Sequence, residues 1–225
     1  VAKFKLTQAA NRERILEVFD ALAAAYPDAD CSLDYENPLQ LMVATILSAQ
    51  CTDVRVNVVT KDLFAKYHTA EDYVRVPPEE LEKDIQTCGF YRQKTKSIQG
   101  ACQKLLDRHD GLVPDTLDEL VKLNGVGRKT ANVVLGQCFD TPGVIVDTHC
   151  TRLNNRLGFT KNSDPVKIER DIMKILPAER WTLYSHFMVF HGRARCIARA
   201  PQCSSCEARE LCPYPETREG LNCAR

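Results

Sequence analysis

No stretch of the 225-residue chain approaches the roughly 18 uninterrupted apolar residues that a membrane-crossing helix needs. The opening, Val1-Ala-Lys-Phe-Lys-Leu-Thr-Gln8, lacks the apolar run of a secretory leader. It also lacks an initiator Met, as expected where a short targeting tail has been trimmed. Net charge is missing too: 30 Lys and Arg balance 30 Asp and Glu, which argues mildly against a polyanionic partner. There is no repeat of fixed period and no low-complexity segment, and period-two strand patterning is scarce. These absences point away from membrane proteins, secreted disulfide scaffolds, solenoids and sheet-based folds. What is left is a globular chain long enough to bury one large core or two small ones.

Two features stand out against that plain background. Lys and Arg number 14 against 20 acids over residues 1–120, and 16 against 10 over 121–225, so a balance of −6 is followed by one of +6. A neutral chain of this kind can still turn one basic face to a polyanion. The cysteines are uneven as well. Seven of the eleven (Cys31, Cys51, Cys88, Cys102, Cys138, Cys150 and Cys223) are scattered, and the other four lie within the 17 residues from Cys196 to Cys212. An odd count without a secretion signal reads as reduced thiols plus one metal site in a reducing, cytoplasmic compartment.

Helical periodicity runs along nearly the whole chain. Asn11–Ala25 sets Ile15, Leu16, Val18, Phe19 and Leu22 on one side, and Tyr26-Pro-Asp breaks it. Pro38 stands where a first-turn proline belongs, and Leu39–Gln50 is apolar nearly all round, as a buried central helix would be. Further helices are expected at about 53–67, 70–75, 78–87, 91–108, 116–123, 128–138, 148–157, 164–175 and 181–192, with a loosely held polar tail from Pro213. The fold class is all-α.

Thr116-Leu-Asp-Glu119 has the spacing of a capping box. The helix it opens runs to Leu123, and Asn124-Gly-Val-Gly127 then turns tightly into Arg128-Lys-Thr-Ala-Asn-Val-Val-Leu135. Gly125 and Gly127 permit positive φ and a close backbone approach, and with Val126 they would aim N–H groups outward at a helix N-terminus, which suits a phosphate. A plain helix–helix turn has the same residues. Lys129 sits in the first turn of the second helix, where the positive helix end disfavours an ammonium and favours the neutral amine that a Schiff base requires. Near the C-terminus, Cys196-x6-Cys203-x2-Cys206-x5-Cys212 offers four thiolates from one short loop. Tetrahedral zinc and a cubane iron–sulfur cluster both accept four Cys, and chemistry alone leaves both open.

Leu123-Asn-Gly-Val-Gly-Arg-Lys-Thr-Ala-Asn132 resembles the helix-hairpin-helix motif of the endonuclease III family of DNA glycosylase/AP lyases. Val144-Ile-Val-Asp-Thr-His149, Leu47-Ser-Ala-Gln-Cys-Thr-Asp53 and the cysteine spacing with its flank His191-Gly-Arg-Ala-Arg-Cys196 resemble three more of its motifs. The likeness extends over about Asn37–Tyr214. It implies that Lys129 is the nucleophile, Asp147 the catalytic carboxylate, and Cys196, Cys203, Cys206 and Cys212 the ligands of a [4Fe–4S] cluster. It implies a six-helix domain over 31–141 with a DNA cleft between it and a cluster domain of 1–30 plus 142–225. Gln50 would enter the gap left by an extruded nucleotide. Phe90, in Cys88-Gly-Phe-Tyr-Arg92, stands where Leu often serves as a wedge. Gly125, Val126, Gly127 and His149 complete the expected DNA contacts, with Arg193, Arg195 and Arg199 as a basic finger on the cluster loop. Asp147 also reads as the N-cap of the helix from Thr148, a role compatible with a fixed, ionised carboxylate.

The expected function is removal of oxidised pyrimidines from double-stranded DNA, followed by nicking of the abasic site, by a monomer in the bacterial cytoplasm at the nucleoid. Adenine- and thymine-mismatch glycosylases of the same fold are the rivals, disfavoured by Lys129, and a non-catalytic DNA-binding iron–sulfur protein is another. Three positions depart from the pattern. Asn124 replaces a usual Pro and should soften the hairpin entry, and Val121 replaces an acid found in some members. With Phe90, Val121 is expected to narrow the substrate range.

Overall fold

The computed structural model describes residues 7–216. Among these there are helices and turns and no strand. The chain divides into two compact units, one of Cys31–Thr141 and one that joins the segment ending at Asp30 to the segment starting at Pro142.

In the first unit α2 (Pro38–Leu47) is the buried helix that its composition demands. Asn37 caps it by accepting a bond from the Gln40 amide at 3.0 Å, and Pro38 fixes the first turn. Leu41, Met42, Val43, Ala44 and Leu47 have no exposed surface, so no face of the helix is left for water. It packs on α3 (Asp53–Lys66), α6 (Tyr91–His109) and α8 (Arg128–Cys138). The short helices α4 (Ala70–Arg75) and α5 (Pro78–Asp84) cover α6, and α7 (Leu117–Leu120) leads into α8.

Three local expectations are corrected here. The capping box lies at Thr69-Ala-Glu-Asp72, where both reciprocal bonds form, while Thr116 makes no side-chain cap bond. Glu119 is drawn instead to Lys122 at 2.6 Å and toward His109 at 3.7 Å, so it cannot reach back to Thr116. The helix expected over 116–123 is a single turn, α7. After Leu120 the backbone tightens into three-residue steps, Lys122 to Glu119, Leu123 to Leu120 and Val126 to Leu123. The helix expected to run to Gln50 stops at Leu47, and Gln50 adopts φ +55°.

In the second unit α1 (Gln8–Ala25) packs on α11 (Trp181–Ala194), and α11 on α9 (Thr148–Arg156), with α10 (Pro165–Met173) beside α9. Ile15, Val18, Leu22, Val144, Cys150, Ile168, Ile172, Tyr184 and Met188 are fully buried in this core. Phe19 and Phe187 meet edge to face at 5.1 Å. Asn154, also fully buried, donates to the Cys150 carbonyl at 2.8 Å and accepts from the Tyr184 hydroxyl at 2.7 Å. The extended run before α9 is tied down by Ser185, whose Oγ accepts from the Ile145 amide at 2.9 Å. Beyond Pro213 the chain is held at first, because the Tyr214 ring lies 4.6 Å under the Arg156 guanidinium. The rest of the expected polar tail, with Cys223, lies outside the described residues. No described helix is long and apolar enough to cross a membrane.

Candidate functional site

The glycine hairpin is seated on α6 by close backbone approaches. Gly125 has φ +72°, and a Cβ there would lie 2.5 Å from Cβ of Ser97. A Cβ on Gly100 would lie 2.4 Å from Nδ2 of Asn124, so Asn124 fills a notch that only glycine leaves open. Lys104 donates to the Lys122 carbonyl at 2.6 Å and pins the start of the turn. The expectation that Asn124 softens the hairpin entry therefore misses its packing against α6. Val126 departs from its expected role as well. Its side chain is only 4% exposed and its amide donates to the Leu123 carbonyl at 3.2 Å, so the residue faces inward. The outward positions are Gly125, Gly127 and Lys129, all exposed. Gly127 caps α8 with no side chain. The first amides of an α-helix have no intrahelical partner, and this end is therefore an anion-facing dipole with Lys129 in its first turn.

In the same unit Gln50 and Phe90 form two exposed tips. Both are non-glycine residues with positive φ, +55° and +47°. Lys94 joins the segments that carry them. It is 4% exposed, and its ammonium donates to the carbonyls of Leu47 and Cys88 at 2.8 Å each. Nothing in the sequence marks Lys94. It lies in Tyr91-Arg-Gln-Lys-Thr-Lys96, which reads as a solvated polar stretch.

In the second unit Asp147 caps α9, its Oδ1 accepting from the Cys150 amide at 2.7 Å. The carboxylate is thus fixed by the helix that it starts, as the motif led one to expect of a cap. His149 lies two residues on, in the first turn of α9, half buried, with Nδ1 3.2 Å from the Arg152 guanidinium. Burial lowers its pKa from the usual imidazole range, and the nearby Asp147 offsets this only in part. Gly192 makes room for the ring: a Cβ there would lie 2.4 Å from His149 Nδ1.

Cys196, Cys203, Cys206 and Cys212 line one pocket together with Val18, Leu22, Leu153 and Leu157, and none of the four is in a disulfide. Burial pushes the Cys206 thiol up to about 11 and the Cys212 thiol up to about 12. Such thiols become thiolates readily only against a cation. The loop has the groups to hold that charge. Arg156 places NH1 3.2 Å from Cys196 Sγ and 2.9 Å from the Ile197 carbonyl. His191, held by Tyr26 at 3.0 Å through Nδ1, has Nε2 3.4 Å from Cys206 Sγ. An apolar pocket, four free thiols and two flanking N–H donors fit a thiolate-bound metal centre. Of the arginines expected on this loop, Arg195 is engaged internally, with Glu207 at 3.1 Å and Gln202 at 3.0 Å, while Arg193 and Arg199 are exposed. Arg156, His191 and Arg152 were not singled out from the sequence as parts of the site, although His191 stands in the quoted flank.

Residues 43–178 match the model of the HhH-GPD superfamily base excision DNA repair proteins, which defines the class. Within that class, the chain is 50% identical to endonuclease III of Synechocystis over 91% of its length and 94% of the relative. It is 44% identical to endonuclease III of Bacillus subtilis over 93% and 96%. A solved structure of a trapped endonuclease III–DNA covalent intermediate superposes with a TM-score of 0.88 at 47% identity, covering 95% of this chain and 99% of that one. A thermostable thymine-DNA glycosylase, 20% identical, shares the fold with a TM-score of 0.84. The chain belongs to the endonuclease III family, the DNA glycosylase/AP lyases of base excision repair.

The close approach of Gly125 to Ser97 yields a test. Gly125→Ala should lower stability by about 2 kcal/mol, from the left-handed backbone and the contact together. Adding Ser97→Gly should restore the contact part only. Urea unfolding of the single and double variants measures both, and a single variant as stable as wild type would mean that the hairpin is not seated this way.

Proposed function

We propose that this chain removes oxidised pyrimidines from duplex DNA and nicks the abasic site by β-elimination, with Lys129 as nucleophile and Asp147 as the assisting carboxylate. The observation that carries this is an exposed amine in the first turn of α8, directly behind an outward glycine turn that no side chain caps. A base stacked in a duplex shields its sugar, so the nucleotide must first swing out at a cost of a few kcal/mol. Gln50 fills the space it leaves and Phe90 stacks against the neighbouring bases, while Gly125 and Gly127 receive phosphate. Neutral Lys129 Nζ then attacks C1′. The C1′–N bond breaks, and the base departs with the bonding pair and takes up a proton. Asp147 accepts a proton from the new ammonium or steadies the positive charge on the sugar. The sugar ring then opens, the C1′–O4′ bond breaking as O4′ takes up a proton, to give the Schiff base; removal of a C2′ proton expels the C3′ oxygen with its phosphate, and the strand is cut 3′ to the lesion. His149, Arg193, Arg199 and, through its exposed edge, Arg195 lie on the DNA side of the second unit. Val121, 41% exposed at the end of α7, supplies no acceptor, so polar lesions lose a partner there. Acting on chromosomal DNA places the protein in the bacterial cytoplasm, at the nucleoid, as a monomer.

Cys196, Cys203, Cys206 and Cys212 would hold a [4Fe–4S] cluster. Bound there, it supplies a covalent cross-link that fixes the basic loop, and Arg156 and His191 donate toward its thiolates.

Two measurements test this reading. Borohydride should trap wild type on abasic DNA and give no adduct with Lys129→Gln, while Asp147→Asn keeps binding and loses most turnover; an undiminished Lys129→Gln adduct moves the nucleophile elsewhere. The purified protein should be yellow-brown with about four iron atoms per chain, and a colourless protein with one zinc overturns the cluster assignment.

A further inference from the structure

Lys94 lies in the first turn of α6, 4% exposed. Its two bonds, 2.8 Å each, run to carbonyls on different elements: Leu47, the last residue of α2, and Cys88, which ends a 3₁₀ turn over Gln86–Cys88. Three residues past Leu47 stands Gln50, and two past Cys88 stands Phe90, itself 66% exposed. Gln50, Gly89 and Phe90 have φ of +55°, +70° and +47°. For a non-glycine residue that conformation costs about 1 kcal/mol or more and persists only where the surroundings over-determine it. The surroundings here are the ammonium that grips the chain just before each strained residue. Cys51, which follows Gln50, also lies against Cys88. Burial lowers the pKa of Lys94, and the neighbouring Cys51 and Cys88 offset this only in part.

We propose that Lys94 is a positioning residue that sets the separation and direction of Gln50 and Phe90, so that the two tips enter a distorted duplex as one rigid pair. This rests on the reading of Gln50 and Phe90 as the residues that enter the duplex. A phosphate-gripping hairpin can bind DNA without them, whereas stable extrusion of a nucleotide needs both tips at one fixed spacing. Lys94→Met, with nearly the same length and no donor, keeps the packing volume and releases both carbonyls. It should also cost stability, because the carbonyls lose a partner, and a control for that is needed. Ile98→Ala supplies it, since Ile98 is fully buried one turn further along α6 and touches neither tip by these bonds.

The experiment uses the full-length protein at saturating concentration on a duplex with an uncleavable tetrahydrofuran abasic analogue opposite 2-aminopurine. The fluorescence change reports local unstacking without any chemistry. Wild type and Ile98→Ala should give the same amplitude once both are held well below their melting temperatures. Lys94→Met should lose most of it and, on a cleavable lesion, excise the base about 10- to 100-fold more slowly at saturation, the penalty of a misplaced group near the reacting centre. If Lys94→Met does not fold, Lys94→Arg is read instead, because its larger head must spread the two carbonyls and alter the amplitude. Gln50→Ala and Phe90→Ala are measured alongside. If they leave the signal intact, the tips do not enter the duplex and the role proposed for Lys94 falls with that reading. If they abolish it while the Lys94 variants match Ile98→Ala, the tips act as described and Lys94 is only a packing residue.

Discussion

The first unit turns on how closely the glycine hairpin approaches α6. Side chains normally keep a turn some ångströms from a helix. Here Gly100 admits the Asn124 side chain and Gly125 rides over the Ser97 side chain, so at each contact one partner lacks a Cβ. That contact fixes where α8 begins, and therefore which amides lie open and where Lys129 starts its reach. The same helix serves the opposite task at its N-terminus, where Lys94 gathers the segments bearing Gln50 and Phe90. α6 is thus one rigid bar with the anion-facing hairpin on its flank and the two exposed tips at its start. The fully buried α2 supplies the floor beneath it.

In the second unit the corresponding constraint is electrostatic. Four cysteines in a short loop would repel as thiolates, and burial together with the neighbouring cysteines raises the pKa of Cys206 and Cys212. Arg156 and His191 reach the loop from helices already locked into the core by Asn154 and Tyr184. The N-terminal helix contributes too. Arg14 lies 4.4 Å over the Phe159 ring and donates to the Leu211 carbonyl at 2.8 Å, one residue before Cys212. Asp147 shares in this order, because the amide that it caps belongs to Cys150, which is buried in that core.

Much of this was legible in the sequence, for definable reasons. Helices with a strong apolar period or a proline at the first turn came out within a few residues, α2 and α8 among them, because burial and dihedral restriction act locally. Asp147 was readable as a cap for the same reason. The failures involve competition between partners. Thr116 and Glu119 have the letters of a capping box, but Lys122, three residues on, and His109, on another helix, claim the carboxylate, and the box pattern does not weigh such rivals. Val126 looked like a phosphate donor until the tightened turn consumed its amide. Lys94, Arg156 and the notch at Gly100 were silent, since a buried cation on a polar stretch and a small residue in a helix have meaning only through what folds against them.

The central claim is that the hairpin presents Lys129 as the amine that bonds to the sugar, and mapping the adduct on the unaltered protein tests it most directly. Wild type trapped with borohydride on abasic duplex, digested with nuclease and trypsin, should yield the sugar-derived mass on Lys129. Because a secondary amine blocks cleavage there, the modified peptide should run from Lys129 to Arg152. A sugar mass on Lys122, Lys94 or the N-terminal amine, with Lys129 unmodified and cleaved normally, would contradict the account.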